Sequence, residues 1–139
     1  MKDYLVRKLI LDNENTIDCG LQSILKIIEH LKSNYNSVNL QNLINKYYPK
    51  TNYQSLIAIA YENQINCELI DNPSINSILA SNKPFIFKSN GFDNSYHFLV
   101  CFSYCEKEGF YIWDYRNGHY HATINGFKDI WDGNEYLTF

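Results

Sequence analysis

The sequence predicts an α+β fold, with helices in the first half and an antiparallel β-sheet in the second. Two observations carry this expectation. Leu21, Ile24, Leu25, Ile28 and Leu31 recur at helical spacing. After Pro73, short β-prone segments alternate with turn signals such as Lys107-Glu108-Gly109 and Asn117-Gly118. Helices and strands that segregate along a chain give an α+β order, not the alternation of a parallel α/β sheet. At 139 residues the chain, 1–139, is expected to form a single domain with one site.

Residues 4–11 are rich in strand formers and lead into a polar loop, Asp12 to Thr16. Asp18 is a good N-cap residue, so a first helix is expected from Cys19 to about Lys32, with Lys26, Glu29 and Lys32 facing outward. Ser37 can cap a second helix carrying Leu40, Leu43, Ile44 and Tyr47 and ended by Pro49. A third follows Thr51 or Asn52, with Leu56, Ile57, Ala60 and Tyr61 on its inner side. A short strand, Cys67 to Ile70, and a brief helix, Ser74 to Leu79, lead into the second half. The strands expected there are Pro84 to Lys88, Tyr96 to Tyr104, Phe110 to Asp114, His119 to Ile124 and Tyr136 to Phe139, with a further turn at Asn90-Gly91.

Composition excludes several function classes. A hydrophobic content of 45% with 19% charged residues is that of an ordinary globular domain. The net charge of −3 gives no electrostatic case for a nucleic-acid partner. Charge interrupts the apolar residues of Met1 to Asp12 before a signal peptide could form, and no run approaches the roughly 18 apolar residues of a membrane span. A cytoplasmic location without membrane insertion is therefore expected. In that compartment Cys19, Cys67, Cys101 and Cys105 are expected to be reduced thiols, not a disulfide framework.

The chemistry gathers around Cys19. A cysteine in the first helical turn lies near unpaired backbone N–H groups and the positive end of the helix dipole, where a thiolate is stabilised. Such a thiol needs a base, and His97 stands at the head of a strand-like run. Asp114 ends the next strand, so a hairpin around Lys107-Glu108-Gly109 would bring it beside His97. Asp114 could then accept from one imidazole nitrogen while the other faces Cys19. Cysteine, histidine and aspartate in this chain order match the nucleophile, base and orienting group of papain-type sites. The competing view makes Cys19 a buried small apolar residue, His97 a strand-edge histidine and Asp114 a turn carboxylate.

Metal chemistry is not expected. His97, Cys101 and Cys105 are spaced by four, and His119 and His121 add two imidazoles, yet the intervening residues are strand formers and no C-x-x-C is present. His30, near the end of the first helix, is a favourable charge at the negative end of the helix dipole.

Asp18-Cys19-Gly20 opening an apolar helix, His97-Phe98-Leu99-Val100, Asp114 on the next strand and the closing 127–133 stretch together resemble the bacteriocin-processing double-glycine leader peptidases. These form family thirty-nine of the cysteine peptidases, usually found as the N-terminal domain of peptidase-containing ABC transporters. The resemblance covers essentially the whole chain and lies in the order and spacing of the pieces. It implies a papain-like fold, no cofactor, Cys19 as nucleophile, His97 as base and Asp114 as its orienting partner. It also implies cleavage after a Gly-Gly pair ending the leader of a ribosomally made precursor peptide.

Where that family carries a glutamine six residues before the cysteine, this chain has Asn13. With the Cys19 backbone N–H, Asn13 would form the oxyanion hole on a stem one methylene shorter, which requires the loop to shift by about 1 Å. Tyr115 stands where the family usually has proline, and Leu21 and Gln22 where it has small residues. A scissile Gly-Gly can be enforced by a slot too narrow for a Cβ, walled by rings such as Tyr96, Trp113 or Tyr115. Core packing is the alternative for each ring, above all for Trp113 and Trp131. The partners implied are a precursor leader peptide and either a separate ABC transporter or none, the polypeptide then processing its substrate alone. Two other functions fit the same residues: a leader-binding or transporter-regulatory module without useful turnover, and a papain-like acyltransferase.

Overall fold

The computed structural model describes residues 19–31, 46, 52–89, 97–114 and 117–139. The chain divides into two compact units, Met1–Asn66 and Cys67–Phe139. The strand expected at 4–11, the body of the second helix and the Asn90-Gly91 turn lie outside the described residues, as does Asp18.

In the first unit, helix α1 spans Cys19–Leu31 and opens on the cysteine. Leu21, Ile24, Leu25 and Ile28 are buried as their spacing requires, and so are Gly20, Gln22, Ser23 and Ile27. Burial therefore extends beyond a single stripe, and Lys26 and Glu29 do not face fully outward as expected. Each keeps only 12% of its side chain exposed, with the ammonium and carboxylate 3.8 Å apart. Long charged side chains meet such surroundings by laying their stems along apolar surface and pairing their ends.

Helix α2, Tyr53–Glu62, packs against α1. Its start is held by a reciprocal cap: Asn52 Oδ1 accepts from the Ser55 N–H at 2.9 Å, and Ser55 Oγ accepts from the Asn52 N–H at 2.8 Å. Tyr53, Leu56, Ile59 and Ala60 are buried. Tyr61 was expected inward but is 83% exposed. Tyr53, Leu56 and Ala60 form one stripe at i, i+3 and i+7, and Tyr61 sits a further step of about 100° round the helix.

The second unit is a six-stranded antiparallel sheet in the order β1-β6-β2-β3-β4-β5. Its strands are β1 Glu68–Asp71, β2 Phe85–Ser89, β3 His97–Cys105, β4 Gly109–Asp114, β5 Gly118–Ala122 and β6 Trp131–Thr138. Helix α3, Ile75–Ser81, is capped by Ser74 and precedes β2. The last strand does not lie at an edge: β6 pairs with both β1 and β2. Its start at Trp131 makes it longer than the Tyr136–Phe139 segment expected from β propensity.

Two features of the β3–β4 hairpin matter for the site. Its turn leads into Gly109, whose φ of +87° suits glycine, and a Cβ there would collide with the Ala122 carbonyl oxygen. The register then shifts between Cys101 and Ser103, so Phe102 is an extra residue on β3. A regular strand would put Ser103 on the face of Leu99 and Cys101. With the bulge, Tyr104 takes that face, packed on Phe110 with ring centroids 4.8 Å apart.

Helix α4, Ile124–Ile130, departs from the sequence expectation, which ends the preceding strand at Ile124. Asn125 and Gly126 read locally as turn residues. Thr123 caps the helix by accepting from the Gly126 N–H at 3.0 Å. What holds the helix is tertiary: Phe127 is fully buried against Phe85, Phe87, Phe110 and Trp131, with ring centroids between 4.3 and 6.0 Å. The core on this face also takes Ile78, Leu99, Ile112 and Tyr136. Packing of one aromatic side chain overrides a weak local preference.

Candidate active site

Cys19 is the first residue of α1, partly exposed, and its carbonyl accepts from Ser23 Oγ at 2.8 Å. This ties the cysteine's own turn to the next one. Cys19 thus lies in the first described turn of α1, as the apolar spacing after it leads one to expect.

In the second unit the sheet brings His97 and Asp114 together. Val100 pairs with Trp113 across the β3–β4 hairpin, which sets Leu99 level with Asp114 and His97 two residues beyond. Residues two apart on a strand share a face, so His97 reaches Asp114 along the diagonal. The His97 Nε2–H donates to Asp114 Oδ1 at 2.9 Å. The side chains are 17% and 7% exposed, so water competes little for the bond. An ionised carboxylate only accepts, which places the proton on Nε2 and makes Nδ1 the basic nitrogen, on the opposite edge of the ring.

A third residue joins them that the sequence marked only as part of a turn. Asn117 Nδ2 donates to Asp114 Oδ2 at 3.0 Å. Both carboxylate oxygens thus have donors, on opposite sides. The clue in the sequence was an amide side chain three residues past the aspartate, at the β4–β5 hairpin, where Asp114 pairs with Gly118. Tyr120 lies on the same face, level with Ile112. Burial, and secondarily the negative charge of Asp114, push its phenol up from the ordinary value.

Trp113 is 7% exposed and, one residue from Asp114, points to the opposite face of β4. That agrees with the core-packing alternative for this ring. Asn13, Tyr96 and Tyr115 lie outside the described residues. The four cysteines are free, and burial pushes the Cys101 thiol up to about 12 and raises that of Cys67. His119 and His121 stack on Tyr111, with ring centroids 5.2 and 5.0 Å away. Among the described residues no group of three or more His, Cys, Asp or Glu side chains could hold a metal ion.

A helix that opens on cysteine, followed by an antiparallel sheet carrying a histidine–aspartate pair, is the layout of the papain-like cysteine peptidases. The chain belongs to the Peptidase C39 family, whose model matches residues 7–139. Solved structures share its fold, two of them with the following likeness. The peptidase domain of Streptococcus ComA, a bifunctional ABC transporter involved in a quorum-sensing pathway, is 19% identical with a TM-score of 0.63, covering 87% of this chain and 90% of that one. A double-glycine-motif protease from an AMS/PCAT transporter, solved in complex with the leader peptide, is 18% identical with a TM-score of 0.61, covering 87% and 84%. No match was found among curated proteins. Among the described residues no helix is long and apolar enough to cross a membrane.

Proposed function

We propose that this chain is a cysteine endopeptidase that cleaves after the Gly-Gly pair ending the leader of a ribosomally made precursor peptide. The 2.9 Å bond from His97 Nε2–H to Asp114 Oδ1 is the observation that carries this reading, because it fixes the tautomer a thiol nucleophile requires. Family membership and the helix-start position of Cys19 support it.

In this mechanism His97 Nδ1 takes the Cys19 proton, and the thiolate attacks the carbonyl carbon of the second glycine. The Cys19 backbone N–H and the Asn13 side-chain amide hold the oxyanion. The imidazolium returns its proton to the departing amine, leaving an acyl-enzyme, and His97 then activates the water that hydrolyses it. Asp114 holds the ring and stabilises the imidazolium in both halves. Tyr96 and Tyr115 wall the slot that admits glycine alone, while Trp113 packs on the opposite face of β4. The two units act as one domain, 1–139, and use no cofactor. The processed peptide is handed to an ABC transporter, and the reaction takes place in the cytoplasm.

Incubation of the full chain with a peptide carrying a Gly-Gly leader, followed by mass spectrometry, tests this. The expected result is two products split after the second glycine with wild type and none with Cys19→Ala. Tight binding without product would assign a leader-binding module instead, and a product bearing an added amine would assign an acyltransferase.

A further inference from the structure

We infer that Asn117 is a positioning residue of the site: its amide holds the Asp114 carboxylate in the rotation that presents Oδ1 to His97. The inference rests on the peptidase reading for its kinetic consequence, and on geometry alone for its structural one.

A carboxylate accepting one hydrogen bond can rotate about its Cβ–Cγ bond, because terminal torsions of this kind are broad and roughly two-fold. With His97 Nε2–H on Oδ1 at 2.9 Å and Asn117 Nδ2–H on Oδ2 at 3.0 Å, the two donors fix the carboxylate plane from opposite sides. The first donor is the group to be oriented, so it cannot also be the fixed reference. Asn117 holds the other oxygen, Oδ2, independently of His97. Asp114 is only 5% exposed, which leaves few waters to take its place. The backbone supports the arrangement: Asp114 and Gly118 are paired at the end of the β4–β5 hairpin, and Gly118 holds φ +75°. Asn117 thus sits on a turn whose closure is set by the ladder itself.

An asparagine at such a turn has an obvious structural alternative, since Asn and Asp both favour turns. The two roles separate on the donor. Aspartate keeps the shape and the turn preference of asparagine but offers no N–H, and it sets a second negative charge beside Asp114.

The test compares Asn117→Asp, Asn117→Ala and Asn117→Gln in the full chain. The first readout is the ¹H–¹⁵N signal of the His97 Nε2–H in protein labelled at histidine, which requires neither substrate nor Cys19. The second is the kcat and KM for the Gly-Gly leader peptide. If Asn117 positions the carboxylate, Asp and Ala broaden or shift the Nε2–H signal and lower kcat about five- to thirtyfold with KM within twofold. Gln, which retains the amide donor on an exposed residue, recovers more of both than Asp does. An Asp variant with the wild-type Nε2–H signal and rate overturns the inference and leaves Asn117 a turn former. If wild type itself fails to cleave, the peptidase reading falls while the Nε2–H signal still decides the role of Asn117.

Discussion

Asp114→Asn is the substitution that most directly tests the His97–Asp114–Asn117 relay. The side chain keeps its shape but trades one oxygen for an NH₂ group. Two orientations are open to it. In one, its oxygen stays on His97 and its NH₂ group meets the Asn117 amide. In the other, its NH₂ faces Nε2 and forces the proton onto Nδ1, which abolishes the base. A wrong tautomer costs about 10⁴ in rate in the Ser-His-Asp template. Asn117 decides between them, because its exposed amide can turn end for end and accept from the new NH₂. The correct tautomer therefore survives, and what is lost is the negative charge on the acceptor. Hydrogen bonds to charged groups contribute about 1.5–3 kcal/mol and neutral ones about 0.5–1.5, a difference near 1.4 kcal/mol, or roughly tenfold in kcat. Both bonds to Asp114 weaken in this way, so stability falls by about 3 kcal/mol. For a chain of 139 residues that lowers Tm by roughly 8–14 °C. Steady-state cleavage of the leader peptide and a thermal melt measure the two effects. A loss of about a thousandfold or more would show that Asn117 does not re-pair. An unchanged rate and Tm would show that Asp114 neither orients nor stabilises the ring.

Other consequences follow from the packing. Phe127→Ala removes a fully buried ring that touches four other aromatic residues, and is expected to cost about 3–5 kcal/mol, read as a lowered denaturation midpoint. Gly109→Ala is expected to destabilise by about 1–3 kcal/mol from its positive φ alone, before its collision with the Ala122 carbonyl is counted; urea unfolding measures it. A thiol-directed electrophile at neutral pH should label Cys19 ahead of Cys101, whose burial keeps it protonated, as intact mass with peptide mapping would show. The Cys101 thiol is raised from 9.0 to about 12 in the folded chain, so the unfolded chain loses its proton first. The stability this contributes is fully present below pH 9 and is lost as pH rises from there towards 12, with Tyr120 adding a loss of the same sign above pH 10. Cys101→Ala should flatten the first part of that alkaline decline in a pH series of denaturation midpoints.

Much of this protein is written locally. The apolar spacing after Asp18 places α1 and puts Cys19 at its start, and Asn52 and Ser74 mark the two helices they cap. The segments around Lys107-Glu108-Gly109 and Asn117-Gly118 announce hairpins, and hairpin pairing is what makes His97 and Asp114 neighbours. Each of these depends on residues close together in the chain, where periodicity, caps and turn chemistry act. The rest needed the sheet. Helix α4 forms around Asn125 and Gly126 because Phe127 has an aromatic pocket to fill, and that pocket is built from β2, β4 and β6. The insertion of β6 between β1 and β2 pairs residues more than forty positions apart, which no local pattern specifies. Phe102 is extra on β3 only by comparison with a partner strand, and Asn117 became part of the site only when the β4–β5 pairing turned its amide towards Asp114. Sequence alone named the side chains proposed to carry the chemistry, because their types and local supports are one-dimensional facts. Only tertiary structure decided how the carboxylate is held, because that depends on the distance between groups on different strands.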